Sequence, residues 1–294
     1  MKKHAICIQC HKNPGYINEL VSLFPADHFD VFIHVDKKSA ITPEILHSDN
    51  VYFVADENRV DVRWGQFSQV EATLALFALF EARDYHYVHL ISGEDAPIKN
   101  PDEIFSALSD SHEEYIDSNA LPENSPWAWG GIDRYSVNYP GWIIERPKNR
   151  VKRVLRVLYR ELVMRTGIGK KTEFPFPKFY GGSSWFSITG ECLQWIKEYV
   201  AAHTELLSFF EHGVCVDEIF FHTIIRYGPY AENVANGSTR FMIWNESKSG
   251  GPLVLREEHI PLMRESKNEF FARKVSDVKV MRAMMNELWD AGAK

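Results

Sequence analysis

Short apolar runs alternate with segments of helical periodicity along the first third of the chain. The apolar runs lie at residues 4–9, 31–35, 51–54 and 87–92, and the helical patterns lie at residues 16–23 and 68–82. Strands that alternate with helices are typical of a sheet with helices packed against it. The pattern therefore predicts an α/β fold.

Polar clusters follow three of the predicted strands, at residues 11–14, 34–39 and 93–99. Ligands of α/β sheets bind at the carboxyl ends of the strands, so we expect these clusters to form one site. Asp36 directly follows its strand, within reach of a ribose or a base, and Asp95 has a similar position. A simple turn role remains open for both aspartates, because Asp, Gly and Pro also favour turns.

Between residues 119 and 142 the hydrophobic periodicity is lost, and the segment is rich in Pro, Gly, Asn and Trp. Such a composition is typical of a long functional loop. Aromatic side chains in such a loop can stack on a ligand. Trp127, Trp129, Arg134 and Tyr135 are therefore candidates for binding an acceptor.

Two glycines at residues 181–182 predict a tight turn into a strand that ends near residue 188, and a helix follows at residues 190–199. Because glycine has no side chain, the turn allows the backbone to approach a ligand closely. Ser183 and Trp185, which follow the turn, are further candidates for acceptor binding.

Residues 148–165 predict a helix in which Arg and Lys interleave with Val and Leu, so that a basic face and an apolar face separate. Two interpretations remain open. The helix rests on an anionic membrane surface, or its apolar face packs on the core while its basic face is solvated.

Composition limits the possible functions of the chain. With 294 residues and 45% hydrophobic content it can form one large domain or two small ones, and a formal net charge of −7 argues against bulk nucleic-acid binding. No apolar run reaches the roughly 18 to 20 residues that span a bilayer, and the first residues lack the apolar segment of a signal peptide. We therefore expect a cytoplasmic protein, with the basic helix as a possible peripheral contact on the inner face of the membrane.

Four cysteines are too few for a disulfide framework in a chain of this length, which fits a reducing compartment. Cys7 and Cys10 form a C-x-x-C motif inside the first predicted strand, whereas redox pairs usually open a helix, so we expect two buried strand residues. His212, Cys215 and His222 match no common zinc spacing.

Residues 216–222 and 270–274 provide a carboxylate and a distant cation, which together suggest sugar transfer from a nucleotide. Glu218 has aromatic and aliphatic neighbours, among which a carboxyl resists ionisation and suits a general base. If a helix begins near Asp217, that residue caps it and Glu218 points inward on the same face as Phe221. A structural role for both acids, favoured by the helix dipole, remains open.

The sequence contains no Asp-x-Asp triplet, the arrangement with which many nucleotide-sugar transferases hold a metal on the diphosphate. Without a metal, the diphosphate charge must be met by lysine or arginine, and Lys248, Arg273 and Lys274 are available. The fingerprints of P-loop ATPases, G-x-S-x-G hydrolases and dinucleotide-binding dehydrogenases are also missing.

Taken together, these segments resemble the core-2/I-branching β-1,6-N-acetylglucosaminyltransferase and peptide O-xylosyltransferase family, with this chain as a bacterial member. In chain order, the resemblance is carried by residues 11–14, 33–39, 62–65, 87–99, 182–186, 217–218 and 271–274. It implies a GT-A-like, Rossmann-type nucleotide-sugar-binding sheet flanked by helices, with a loop-rich acceptor region. It also implies inversion at the anomeric carbon and no metal or other cofactor.

The resemblance assigns roles to single residues. Glu218 is expected to deprotonate the acceptor hydroxyl, Lys274 to bind the diphosphate, and Asp36 to contact the nucleoside. The family's second diphosphate-binding cation has no clear equivalent, and we predict Lys248 as its substitute. The complete set expected to bind the nucleotide sugar is His11, Asp36, Arg63, Asp95, Lys248, Arg273 and Lys274.

We therefore predict a single glycosyltransferase domain over residues 1–294, in which residues 1–118 mainly bind the nucleotide and residues 119–294 bind the acceptor and carry catalysis. The predicted reaction moves GlcNAc or xylose from a UDP-sugar to a hydroxyl of a glycan or lipid-linked glycan, in cell-surface polysaccharide synthesis. Two alternatives remain open: a non-catalytic nucleotide-sugar or glycan-binding protein, and a metal-dependent transferase with another donor that uses Asp95.

Overall fold

The computed structural model describes residues 2–144, 150–235, 237–244 and 251–289. The strands are β1 (His4–Cys10), β2 (Phe29–Val35), β3 (Val51–Phe53), β4 (Tyr87–Ser92), β5 (Asp95–Pro97), β6 (Asn119–Leu121), β7 (Phe179–Gly181), β8 (Ser187–Thr189), β9 (Arg240–Met242) and β10 (Phe271–Arg273). The helices are α1 (Pro14–Ser22), α2 (Ser68–Phe77), α3 (Pro101–Ala107), α4 (Ile132–Ser136), α5 (Gly141–Ile144), α6 (Arg150–Thr166), α7 (Gly190–Ala202), α8 (Glu205–Phe210), α9 (Phe220–Tyr227), α10 (Ile260–Arg264) and α11 (Val278–Met284).

A five-stranded sheet in the order β3-β2-β1-β4-β8 forms the centre of the molecule. Its first four strands are parallel, and β8 adds an antiparallel edge. β1, β2 and β4 are buried on both faces, which explains why they read as apolar runs in the sequence. The four predicted strands and the two predicted helices of the first third are confirmed, and so is the α/β fold.

Two apolar cores lie on opposite faces of this sheet. One contains α1, α3 and α11, and the other contains α2, α7 and α9. Because successive strand residues point to opposite faces, Cys7 lies in one core and Cys10 in the other. Both cysteines are buried, and burial raises the pKa of the Cys10 thiol to about 12. The interpretation of the C-x-x-C motif as two buried strand residues is confirmed.

A second, smaller sheet in the order β5-β10-β9 connects the C-terminal part of the chain to the end of β4. β10 pairs antiparallel with β5 in a register that places Arg273 opposite Asp95. A third sheet pairs β6 with β7. The predicted loop at residues 119–142 is more regular than predicted, because it contains β6 and α4.

Helix α6 confirms the predicted basic helix, but its orientation contradicts one of the two interpretations. Its valines and leucines at positions 151, 154, 155, 157, 158 and 162 are exposed by 42% to 68%, whereas Val163 is buried. The helix packs on the protein through other residues, so the interpretation that this apolar face packs on the core is wrong. Among the described residues, no helix is both long enough and apolar enough to cross a membrane.

Candidate active site

Glu218 and Arg134 form an ion pair at one end of the site. Glu218 ends a short 3₁₀ turn at Val216–Glu218, and its side chain is 32% exposed. The guanidinium carbon of Arg134 lies 3.6 Å from the centre of the Trp127 ring, which fixes the arginine by stacking. The prediction that Glu218 points inward among apolar residues is wrong, because helix α9 begins only at Phe220 and the preceding turn directs Glu218 towards Arg134.

Of the two neighbouring acids Asp217 and Glu218, Asp217 is the buried one. It is only 8% exposed, one of its carboxylate oxygens accepts a hydrogen bond of 2.6 Å from the Ser184 hydroxyl, and its other oxygen has no hydrogen-bond partner among the described residues. Burial, reinforced by the charge of Glu218, raises the pKa of Asp217 to about 7. The prediction that Asp217 caps a helix is wrong, since it bonds to Ser184 and α9 begins after it.

The two glycines at residues 181–182 contact the backbone of Glu218, but the predicted tight turn is wrong, because Gly181 ends β7 and neither glycine lies in a turn. The Gly182 N–H donates a 3.0 Å hydrogen bond to the Glu218 carbonyl. A Cβ added to Gly181 would lie 2.8 Å from that carbonyl and 2.9 Å from the Trp127 ring. The absence of a side chain at position 181 thus lets β7 pass between the turn at Val216–Glu218 and Trp127.

A cluster of three basic and two acidic side chains forms the other end of the site. The Lys12 ammonium lies 2.9 Å from one oxygen of Glu94, and the Lys274 ammonium lies 3.6 Å from the other. Arg273 pairs with Asp95 at 2.8 Å. This cation cluster (Lys12, Glu94, Asp95, Arg273 and Lys274) therefore carries a net positive charge, and both of its lysines are partly exposed.

Asp95 supports Arg273 instead of facing a ligand. It is fully buried, and its oxygens accept hydrogen bonds from the Ser92 N–H at 2.7 Å, the Ser92 hydroxyl at 3.1 Å and Arg273 at 2.8 Å. The prediction that Asp95 contacts the nucleotide sugar is therefore wrong. The register of β5 and β10 places a cation beside a buried carboxylate, which is the partner that such a carboxylate needs.

Trp185 connects the two ends of the site. The guanidinium carbon of Arg273 lies 4.4 Å from the centre of the Trp185 ring. Trp185 also lines a small cavity together with Ser184, Asp217 and Gln9. The neighbouring Ser183 accepts a 2.9 Å hydrogen bond from His222 through its carbonyl group.

Asp36 lies directly after β2, as predicted. Its carboxylate accepts a 2.9 Å hydrogen bond from the Lys38 N–H. The Lys38 ammonium in turn donates to the Val62 carbonyl at 2.6 Å, next to Arg63. The segment that follows Arg63 contacts the residue before the turn at Val216–Glu218, because the Cys215 N–H donates a 2.8 Å hydrogen bond to the Gly65 carbonyl.

The remaining predicted residues are spread more widely. His11 is exposed in the loop between β1 and α1, and Lys248 lies outside the described residues. Trp129 is 40% exposed, and its indole N–H donates a 3.1 Å hydrogen bond to Glu161 of α6. The prediction that Tyr135 binds an acceptor is wrong, because Tyr135 is buried and stacks on Phe179 with ring centres 3.9 Å apart.

Sequence reasoning did not single out Lys12, Glu94 or Ser184. The first two lie within the polar clusters that were predicted at the ends of β1 and β4, so their location was available but their pairing was not. Ser184 carried no signal beyond its place after the two glycines. No group of three or more His, Cys, Asp or Glu side chains is placed to hold a metal ion in the part of the chain that the structure describes.

The central sheet has parallel strands, and the cation cluster lies where β1 and β4 end, which is where ligands of such sheets bind. The sequence matches the Core-2/I-Branching enzyme family over residues 16–267, and the chain belongs to this family. Its membership and its parallel sheet confirm the predicted GT-A-like fold.

Several animal enzymes are similar to this chain. Xylosyltransferase 1 of Mus musculus is 25% identical over 244 residues, which cover 76% of this chain and 22% of that protein. Xylosyltransferase 1 of Homo sapiens is 24% identical over 240 residues, with the same two coverages. The chain thus spans between a fifth and a quarter of the length of these relatives.

Two solved structures show a weak likeness. TarS of S. aureus has a TM-score of 0.26 and 14% identity, covering 49% of this chain and 43% of that chain. Mannose-1-phosphate geranyltransferase of Thermus thermophilus has a TM-score of 0.30 and 13% identity, covering 80% of this chain and 73% of that chain.

Proposed function

We propose that this protein is an inverting, metal-independent glycosyltransferase that moves GlcNAc or xylose from a UDP-sugar to a hydroxyl of a glycan acceptor. The observation that carries the proposal is that Arg273 of the cation cluster lies over the Trp185 ring, and that Trp185 lines a cavity together with Asp217, the neighbour of Glu218. An inverting displacement requires a base on the acceptor side and positive charge on the leaving-group side, which is the arrangement of these residues.

In the proposed reaction, Glu218 removes the proton from the acceptor hydroxyl. The resulting oxygen forms a bond to the anomeric carbon of the donor sugar as the bond between that carbon and the UDP diphosphate breaks. The departing UDP gains negative charge, which Lys274 and Arg273 stabilise together with Lys12. Arg134 orients the Glu218 carboxylate before the acceptor arrives.

Residues 1–118 supply most of the nucleotide site and residues 119–294 supply the acceptor site and the base, with Arg273 and Lys274 as the exceptions. We assign Asp36, Arg63 and His11 to contacts with the uridine, and Lys248 to the diphosphate. Trp127, Trp129, Ser183 and Trp185 are proposed to hold the acceptor, because aromatic rings pack on the apolar faces of sugars. We keep both xylose and GlcNAc as candidate donor sugars, because the similar animal enzymes are named xylosyltransferases.

We place the reaction in cell-surface polysaccharide synthesis, on the inner face of a membrane. The four cysteines are all unpaired, which fits a reducing compartment. Helix α6 carries the basic residues that would keep the enzyme close to an anionic membrane, where a lipid-linked glycan would be the acceptor.

The first experiment is to incubate the purified protein with a panel of UDP-sugars and to follow UDP release and thermal shift together, with EDTA or with Mn²⁺. Stabilisation and slow UDP release with one donor, both unaffected by EDTA, support the proposal and name the donor. Loss of UDP release in EDTA overturns metal independence. No thermal shift with any donor overturns the hypothesis of a nucleotide-sugar donor.

Glu218→Gln separates an enzyme from a binding protein. The variant keeps the shape of the site but removes the base, so transfer should fall by at least roughly a hundredfold while UDP binding stays nearly unchanged. Glu211→Gln, which changes an exposed acid nearby, is the matched control and should leave transfer intact. A wild-type protein that binds UDP but transfers no sugar to any acceptor would favour the non-catalytic alternative.

A further inference from the structure

Helix α6 presents its apolar side to solvent. Val151, Leu155, Leu158 and Leu162 recur every three or four residues, so they form one continuous stripe, which we call the α6 stripe. All four side chains are exposed, by 42% to 68%, and Val154 beside them is exposed by 49%. Helices on the surface of a globular protein normally turn such a stripe towards the core.

The opposite side of the helix holds it to the protein. Val163 is buried, and the Tyr159 hydroxyl donates a 3.0 Å hydrogen bond to the Asn138 carbonyl. Arg160 lies 3.8 Å from Asp133, and Arg156 lies over the Tyr139 ring. These residues fix the rotation of α6 about its axis, so the outward direction of the stripe follows from specific contacts.

The segment around the stripe is strongly basic in a chain that is acidic as a whole. Residues 150–171 contain eight Lys and Arg residues and one Glu, and four of these cations are exposed (Arg150, Lys152, Arg153 and Arg165), whereas the net charge of the chain is −7. A second copy of the chain would bring the same positive charge against this face, because a symmetric dimer contact pairs like surfaces. An anionic lipid surface instead satisfies both the charge and the apolar stripe.

We propose that α6 lies in the plane of an anionic membrane and inserts the α6 stripe among the acyl chains. This deepens the peripheral contact of the proposed function, because the inserted face is apolar and the arginines at positions 156 and 160 face the protein. Insertion adds an apolar contribution to the attraction between the flanking cations and the lipid head groups.

The contacts of α6 also reach the candidate active site. Glu161 accepts the hydrogen bond from Trp129, and Arg160 contacts Asp133, whose neighbour Arg134 pairs with Glu218. An inserted α6 therefore places the acceptor side of the site, rather than the cation cluster, next to the lipid surface. Such a position fits an acceptor sugar carried on a lipid, a conclusion that rests on the proposed transfer.

The test measures co-sedimentation of the full chain with vesicles of phosphatidylcholine alone and with vesicles that also contain phosphatidylglycerol. The wild type should bind the anionic vesicles and keep part of this binding at high salt, because the apolar contribution is not screened. Leu155→Glu with Leu158→Glu should weaken binding by at least about tenfold. The control Leu262→Glu, at a leucine of α10 that is equally exposed, should bind like the wild type.

A second variant reports insertion directly. Leu158→Trp should shift its fluorescence to shorter wavelength with anionic vesicles and be quenched by brominated acyl chains, whereas Leu262→Trp should do neither. Binding that the two Glu substitutions leave unchanged, or that high salt abolishes, overturns insertion. A dimer that these substitutions disrupt, without vesicle binding, overturns it too and shows that a second copy covers the stripe. No sugar donor or acceptor is present, so either failure leaves the proposed transfer untouched.

Discussion

Arg134 and Glu218 lie 84 residues apart in the chain and meet as an ion pair, with the guanidinium of Arg134 stacked on Trp127. Both side chains of the pair are partly exposed, so a substrate can reach them. The arginine holds the carboxylate in one orientation by contacts that an acceptor hydroxyl can replace. This pair connects the acceptor region to the proposed base.

Replacing Arg134 should therefore affect turnover more than donor binding. Arg134→Gln is expected to lower kcat by roughly tenfold to a hundredfold, because the base loses its orientation. The affinity for UDP should not change, since the cation cluster lies at the other end of the site. Initial rates and a UDP titration measure the two effects. Arg83→Gln, in an exposed pair with Glu198, is the control and should change neither quantity.

Lys12 should contribute to binding of the diphosphate. Without Lys12 the cation cluster would be neutral, because Arg273 and Lys274 face Asp95 and Glu94. Lys12→Gln is expected to weaken UDP binding about tenfold and to leave the weaker binding of uridine unchanged. Calorimetric titration with both ligands checks this, with the exposed Lys279→Gln as the control. An equal loss for uridine and UDP would indicate a role in folding instead.

Asp95 should contribute mainly to stability. Its ion pair with Arg273 is buried, so Asp95→Asn leaves an uncompensated arginine and should lower the free energy of unfolding by about 3–5 kcal/mol. Glu191→Gln removes an exposed pair with Lys2 and should cost less than about 1 kcal/mol. Denaturant titrations measure both. Adding Arg273→Met to Asp95→Asn should recover part of the stability but weaken UDP binding, and recovered UDP binding would contradict the assignment of Arg273.

Asp217 should make stability depend on pH. Its pKa is raised from 3.8 to about 7, so between these values the folded protein holds a proton that the unfolded chain has released. The stability from this group is thus present below about pH 4 and is lost as the pH rises through about 7. Asp217→Asn should gain stability relative to the wild type across this window, by at most roughly 1.4 kcal/mol per pH unit. Parallel curves of unfolding free energy against pH for the two proteins would contradict it.

The central sheet and one side of the site could be predicted from the sequence. The strands β1, β2 and β4 are long and buried on both faces, so their apolar runs are unambiguous, and Asp36 follows directly from the end of β2. The two glycines at residues 181–182, although not in a turn, and the acidic pair at residues 217–218 also lie at the candidate site. Local sequence patterns determine each of these features.

The features that could not be predicted depend on contacts between distant residues. The strands β5 and β10 have three residues each and lie more than 170 positions apart. No periodicity in the sequence therefore predicts that Arg273 binds the Asp95 carboxylate. Tyr135 lies in a sequence segment that is typical of a loop, yet its ring is buried in the core, where it stacks on Phe179. The orientation of α6 follows from partners such as Asp133 and Asn138, which its own sequence does not contain.

The pairing of β5 with β10 has a consequence for how the protein is made. Lys12, Glu94 and Asp95 leave the ribosome long before Arg273 and Lys274. While only β1, β2 and β4 have been synthesised, the nascent chain lacks two of the three cations that we propose bind the diphosphate. We therefore expect the proposed donor binding to require that β10 has docked beside β5.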